Sequence, residues 1–341
     1  MNDILKSRNI DNLNLKNSLI MAPCCMYSAQ KDGKLTHFHF SHYEARAIGG
    51  VGLIIVEATA IEPRGKISDK DLALHNKDQA LLHKQLVENC KSYGAKMGIQ
   101  LAHAGRKSEV KDSTPIAPSS IKFSDNYKQP KELTIDEIKE IKKSFVNSAI
   151  LAKEAGYDLI ELHSAHGYLL CEFNSPLTNK RDDIYGGSLE NRCRLTVEIA
   201  KEIKQSTALA LSVRISATEW SEGGWSVEDS VYLSKELEKV GVNVIHVSAG
   251  GNQANPELMP KLEPLYQANY AKQIKENINI PVIAVGLINT YEQCQEIYDN
   301  NCADFVAMGR ELLRNPNVIQ YFLKEQQEKD KFQKQYARAF I

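Results

Sequence analysis

Two histidines and a tyrosine stand at spacings of three and two in Asp158-Leu-Ile-Glu-Leu-His163-Ser-Ala-His166-Gly-Tyr168. The apolar run before them is led in by Gly156 and has strand length, so three titratable groups crowd one strand end. In a parallel α/β architecture that end is the mouth where ligands bind. This stretch alone is equally consistent with His163 and His166 being hydrogen-bonded helix-capping residues. Further along, Gly286 follows one apolar run, and Gly309-Arg310 opens a helix after the next. Uncovered backbone N–H groups at a helix start, together with a guanidinium, favour an anion. Arg214, at the end of another apolar run, would set a cation in the same mouth, where leaving it unpaired is costly. Gln100 offers a donor and an acceptor side by side, suited to an amide-like ring edge.

These residues converge only if the elements carrying them share one sheet. The chain repeats one unit: an amphipathic helical stretch, a Gly or Asn turn, then a short apolar strand ending in polar or small residues. The predicted strands are 19–22, 53–57, 97–101, 158–163, 208–214, 244–247, 281–285 and 304–308. Predicted helices lie around 42–48 and 79–93, from Thr134 with Glu137 completing a capping box, and from near Ser188. Others run from Ser226 with Asp229, from about Leu265, and after Arg310. Apolar runs without strict alternation, joined by helices, require parallel pairing with right-handed crossovers. Eight such units predict a single closed (β/α)₈ barrel of TIM type over residues 1–341, with 324–341 as a C-terminal tail. An open doubly wound sheet is the alternative, but the first strand lacks the Gly-x-Gly-x-x-Gly turn of a dinucleotide-binding unit. The long connections 28–40, 58–79, 103–133 and 168–188 would then all lie on the catalytic face.

Composition narrows the partners. The 341 residues carry a net charge of −1 without a long block of like charge, which predicts neither a nucleic-acid nor a membrane partner. No apolar run approaches bilayer length, and the N-terminal residues lack a basic-then-apolar pattern, so the sequence predicts a cytoplasmic protein. Seven scattered cysteines without metal-finger spacing suit reduced thiols.

With a barrel in place, an anion site on the last two strands matches the corner where such enzymes hold phosphate. A phosphate on one side, with an amide edge and a cation on the other, describes FMN.

Longer motifs carry a resemblance. Met21-Ala-Pro-Cys-Cys-Met-Tyr27, Gly98-Ile-Gln-Leu-Ala-His-Ala-Gly-Arg-Lys107, His163-Ser-Ala-His-Gly-Tyr168, the run from Asn174 to Arg192, and Gly309-Arg-Glu-Leu-Leu-Arg314 together resemble the Old Yellow Enzyme family of FMN ene-reductases. They resemble in particular its bacterial class with a cysteine beside the flavin. The resemblance covers nearly the whole chain. It implies that Pro23, Cys24, Cys25, Ala58, Gln100 and Arg214 surround the isoalloxazine, with Cys25 tuning its potential, and that Gly286, Met308, Gly309 and Arg310 hold the phosphate. It implies that His163 and His166 bind the activating oxygen of the substrate, that Tyr168 donates a proton, and that Tyr27 lines the pocket. The expected activity is NAD(P)H-dependent reduction of alkenes conjugated to a carbonyl or nitro group, in a homodimer or homotetramer. Near the C-terminus, Arg338 is similar to an arginine that reaches a neighbouring subunit's site, although here one residue follows the Phe that ends that motif. Cys24 stands where relatives often carry Met.

Two other functions fit parts of the sequence. A zinc-dependent barrel hydrolase would bind metal through His163, His166 and Cys25 or Glu57, but leaves Arg214, Gln100 and the anion corner without a purpose. A flavin-binding redox sensor would use Cys25, with or without Cys24, and lacks a visible effector domain. A fused iron–sulfur reductase is disfavoured because no cysteine cluster follows the barrel.

Overall fold

Apolar side chains alternate between two packing layers along each barrel strand, and this alternation positions everything at the mouth. The computed structural model describes residues 4–340. Eight parallel strands close into a barrel: β1 (Leu19–Met21), β2 (Leu53–Ala60), β3 (Lys96–Ala102), β4 (Leu159–Ser164), β5 (Ala210–Ser216), β6 (Val244–Ser248), β7 (Val282–Val285) and β8 (Phe305–Met308). Their spatial order is their sequence order, with β8 pairing β1. Leu53, Leu159, Ala210, Val244, Ile283 and Phe305 fill the barrel's interior floor together with Ile20 and Ile55. Their chain neighbours Ile54, Ile160, Leu211, Ile245, Val282 and Val306 face the surrounding helices. A period of two therefore sends alternate residues of each strand up the barrel's inside wall.

The helices in chain order are α1 (His37–Ile48), α2 (Lys77–Ser92), α3 (Ile135–Glu154), α4 (Leu169–Asn174), α5 (Leu189–Thr207), α6 (Val227–Lys239), α7 (Ala268–Lys275), α8 (Tyr291–Asp299), α9 (Arg310–Arg314), α10 (Val318–Glu325) and α11 (Ala337–Phe340). The capping boxes expected at Thr134–Glu137 and Ser226–Asp229 form. A hairpin of Arg8–Ile10 and Leu13–Leu15 supplies Ile10 and Leu15 to the interior floor. The tail runs over α10, where Phe340 packs edge-on against Tyr321 and tilted against Phe332.

Three boundaries differ from the sequence expectation for local reasons. Helix α1 begins at His37 rather than near His42, because Thr36 caps it and His39 takes the position usually held by Glu or Gln in the reciprocal box. Strand β5 begins at Ala210, since Ala208 is the left-handed C-cap of α5 at φ 58°. Helix α7 starts at Ala268, since Leu265 at φ 66° cannot lie in a right-handed helix.

Candidate active site

The upper interior of the barrel is polar where the floor is apolar. Two residues above Leu159 stands the fully buried Glu161, and two above that His163; on the neighbouring strands the same steps lead to Ser212 and Arg214, and to His246 and Ser248. His163 pairs across the ladder with Arg214, and Arg214 with His246.

His163 and His166 meet edge to face with ring centroids 5.2 Å apart, and Tyr168 stands edge to face with His163 at 4.9 Å. The Ala165 N–H donates to His163 Nδ1 at 3.3 Å, which leaves the proton on Nε2. His166 Nε2 lies 2.7 Å from Ser248 Oγ. Burial, and after it the Arg214 charge, pushes His163 down to about 3 and His166 well below the usual imidazole range. Both rings are therefore neutral hydrogen-bond donors at neutral pH rather than general acids. Neither caps a helix; the N-cap of α4 is Tyr168. Burial also raises the Tyr168 phenol well above its ordinary value, so it keeps its proton.

The His166 backbone is left-handed at φ 59° and is held from two sides. Its N–H donates to Ser216 Oγ at 2.8 Å, and its carbonyl accepts from Lys107 Nζ at 2.9 Å. The same ammonium donates to the Gly251 carbonyl at 3.1 Å and lies over the rings of Phe123 and Tyr168 at 4.5 and 4.9 Å. A Cβ at the intervening Gly167 would meet the Gly251 oxygen at 2.4 Å, so only glycine fits where these two loops touch.

Beside the imidazoles opens a cavity of ≈ 230 Å³. Its wall contains Pro23, Cys24, His166, Arg214, Gly286, Gly309 and Arg310 from the sequence reading, and also Ser248, Tyr266, Gln267 and Asn289. Arg214 Nε is buried there without a hydrogen-bond partner, an orphaned donor that a bound anion or polar ring edge would satisfy. Gly286 at φ 135° leaves room that a Cβ would fill, meeting Gln267 Nε2 at 2.7 Å. Gly309 is the N-cap of α9, and a Cβ there would sit 3.2 Å from Cys24 Sγ. Met308 is placed differently: its side chain belongs to the outer layer, and its carbonyl accepts from the Ala22 N–H at 3.0 Å. Cys25, Tyr27, Ala58, Gln100 and His163 lie outside this cavity's wall.

Cys25 and Tyr27 belong to the loop after β1, which is pinned by a carboxylate. Glu57 Oε2 accepts from the Met26 N–H at 2.8 Å, and Oε1 accepts from the Tyr43 hydroxyl at 3.1 Å. Glu57 and Ala58 sit where the β2–β3 register slips, an irregularity that re-aims side chains. Tyr27, at φ 51°, is 48% exposed at the rim. Burial pushes the Cys25 thiol well up, with Asp71 and Glu57 adding to the effect, and burial raises Cys24 against the pull of Arg214. Both thiols are half-buried and burial keeps them protonated, unlike the thiolate of a redox sensor. All seven cysteines are free. Among the described residues no three His, Cys, Asp or Glu side chains group to hold a metal ion.

Burial raises the Glu57 carboxyl to about 7 from an ordinary 4.5. Between those values the folded state holds a proton that the unfolded chain has released, so this group's contribution to stability falls as pH rises from about 4.5 to 7. The fall is on the order of 3 kcal/mol. Urea denaturation across that range should show a flatter pH dependence for Glu57→Gln than for the wild type. Parallel curves for the two proteins would refute this.

Sequence reasoning did not single out Glu161, His246, Lys107 or Tyr266 as site residues. A carboxylate two positions before His163 in an apolar strand was the available signal for Glu161, since it must share the inner face.

The sequence pattern of the NADH:flavin oxidoreductase / NADH oxidase family matches residues 4–330. The chain belongs to that family. Its cofactor is accordingly FMN and its reductant NAD(P)H, and the zinc hydrolase reading falls away. A Listeria monocytogenes NADPH dehydrogenase is 43% identical over 341 residues, covering all of both chains. One from Halalkalibacterium halodurans is 48% identical over 314 residues, 92% of this chain and 91% of its own. Among solved structures, morphinone reductase in complex with tetrahydroNAD superposes with a TM-score of 0.81 at 27% identity, covering 94% of this chain and 90% of that one. The Old Yellow Enzyme resemblance thus holds in sequence and in fold. The orphaned Arg214 Nε of this flavin oxidoreductase fits a polar flavin ring edge, and the glycine-walled corner with Arg310 fits the phosphate ester.

Proposed function

We propose that this flavin oxidoreductase reduces alkenes conjugated to a carbonyl or nitro group, with the nicotinamide leaving before the alkene enters. The observation that carries the reading is the pair of neutral imidazoles packed against each other beside Arg214 at the mouth. Bound FMN supplies the hydride-transfer chemistry. Pro23, Cys24, Cys25, Ala58, Gln100 and Arg214 would surround its ring, with Cys25 tuning the potential. Gly286, Gly309 and Arg310 would hold its phosphate, with Met308 contributing backbone only.

His163 and His166 donate N–H groups to the activating oxygen and stabilise the charge that develops on it. Neutral donors suit this, because they keep their protons while that oxygen becomes basic. Arg214 stabilises negative charge on the reduced cofactor and adds to the burial that keeps both imidazoles neutral. Tyr168, protonated and half-buried beside His163, delivers a proton to the α-carbon. Tyr27 lines the outer pocket. The tail 324–341 would lie at a subunit interface of a dimer or tetramer; Arg338 is exposed on it, available to a neighbouring copy's site.

Anaerobic stopped-flow mixing tests the reading. NADPH or NADH should bleach the yellow protein, and enones, nitroesters or quinones should then be compared for restoring the colour. Reoxidation by quinones or oxygen with no response to cyclohexenone or a nitroalkene would overturn it.

A further inference from the structure

A charged carboxylate is the least expected group inside a barrel, and Glu161 is fully buried there. It accepts three side-chain hydrogen bonds, each at 2.9 Å: Gln100 Nε2 to Oε1, and Ser212 Oγ and His246 Nδ1 to Oε2. One carboxylate thus ties β3, β4, β5 and β6 together directly beneath the mouth. The hydrogen bonds from His246 and Ser212 and the nearby Arg214 charge oppose the burial penalty and keep its carboxyl below the ordinary range. Apolar residues of similar volume would hold four strands at lower cost, so stability alone does not account for a buried charge.

What the carboxylate does fix is the orientation of Gln100. An ionised carboxylate only accepts, so the Gln100 amide must turn its NH₂ towards Glu161 and cannot flip. One N–H is consumed at 2.9 Å, and Oε1 with the remaining N–H is left for a ligand. We propose that Glu161, held by Ser212 and His246, is a positioning residue that locks the Gln100 amide so that the imide edge of the flavin pyrimidine meets an acceptor and a donor in one fixed order. The inference rests on the reading that Gln100 faces the flavin ring. It assigns Glu161 a second effect: its negative charge opposes that of Arg214 beneath the ring and holds the flavin potential down.

Titration of apoprotein with FMN, followed by potentiometry of the holoprotein, tests this. Glu161→Gln lets the Gln100 amide flip and removes the charge. Its FMN dissociation constant should rise about tenfold or more, and its flavin potential should move in the positive direction. Gln100→Ala should weaken FMN to a similar degree, and the double variant should lose little more than either single one, because both act through one contact. Glu161→Asp keeps the charge but is too short to reach Gln100. It should lose FMN affinity while its potential stays near that of the wild type. A purely structural Glu161 would lower thermal stability and leave affinity and potential unmoved, and that outcome, fully additive losses, or failure of both Glu161 variants to fold would overturn the proposal. Wild-type protein that took up no FMN would instead sink the functional reading itself.

Discussion

Replacing His163 or His166 by alanine is expected to slow reoxidation of the reduced enzyme by an enone about 10²–10³-fold, the usual cost of removing one donor from a preorganised oxyanion site. Reduction by NADPH should change far less, because the hydride donor carries no oxygen that gains charge in that step. His163 Nε2 lies 3.5 Å from His166 Nδ1 and His166 Nε2 lies 2.7 Å from Ser248 Oγ, so each N–H exchanges that contact for the substrate oxygen when the alkene binds. Because burial and Arg214 hold His163 near 3 and His166 well below its ordinary value, the reoxidation rate should show no histidine inflection between pH 5 and 8. Separate stopped-flow traces for the two half-reactions decide the matter: equal losses in both would mean that the pair supports the site only structurally.

Arg214→Met should weaken FMN on the order of 10²-fold or more, since truncating a buried charge that pairs with its ligand costs about 2–5 kcal/mol. The methionine fills similar volume but leaves the polar ring edge without its donor and Glu161 short of one compensating charge. The protein should elute from gel filtration colourless and melt at a lower temperature. Arg310→Ala should cost less, because that guanidinium is exposed. FMN titration of the two apoproteins measures the contrast, and an Arg214→Met protein that stays yellow would refute the role.

Much of the frame was legible in the sequence because it is written locally. Helices opened by the Thr134 capping box or closed at Gly156 and Gly241, and the apolar runs between them, mark the elements, and eight such units in alternation leave few topologies. The residues at strand ends could be grouped before any coordinates because parallel strands deliver them to one face. What was not legible depends on partners far away in the chain. Lys107 acquires its role from carbonyls 59 and 144 residues distant, and Glu57 from a backbone amide 31 residues earlier. Ala208 and Leu265 read as strand and helix by type, yet both adopt left-handed backbone that non-glycine residues rarely announce. Cys24 and Cys25 look alike in sequence, and only the loop's path puts Cys24 on the cavity wall and leaves Cys25 off it.

The ammonium of Lys107, shared between the loop after β4 and the loop after β6, divides the rim into two kinds of ground. On the His166 side a change in either segment is transmitted to the other, so sequence drift there must be concerted. The Tyr27 side chain, half open to solvent, takes part in no such tether, although its loop is tied at the Ala29 N–H to the Lys70 carbonyl. New substrate preferences should therefore arise from single substitutions around Tyr27, and directed-evolution libraries aimed there should lose fewer clones to misfolding than libraries aimed at Gly167 or Gly251.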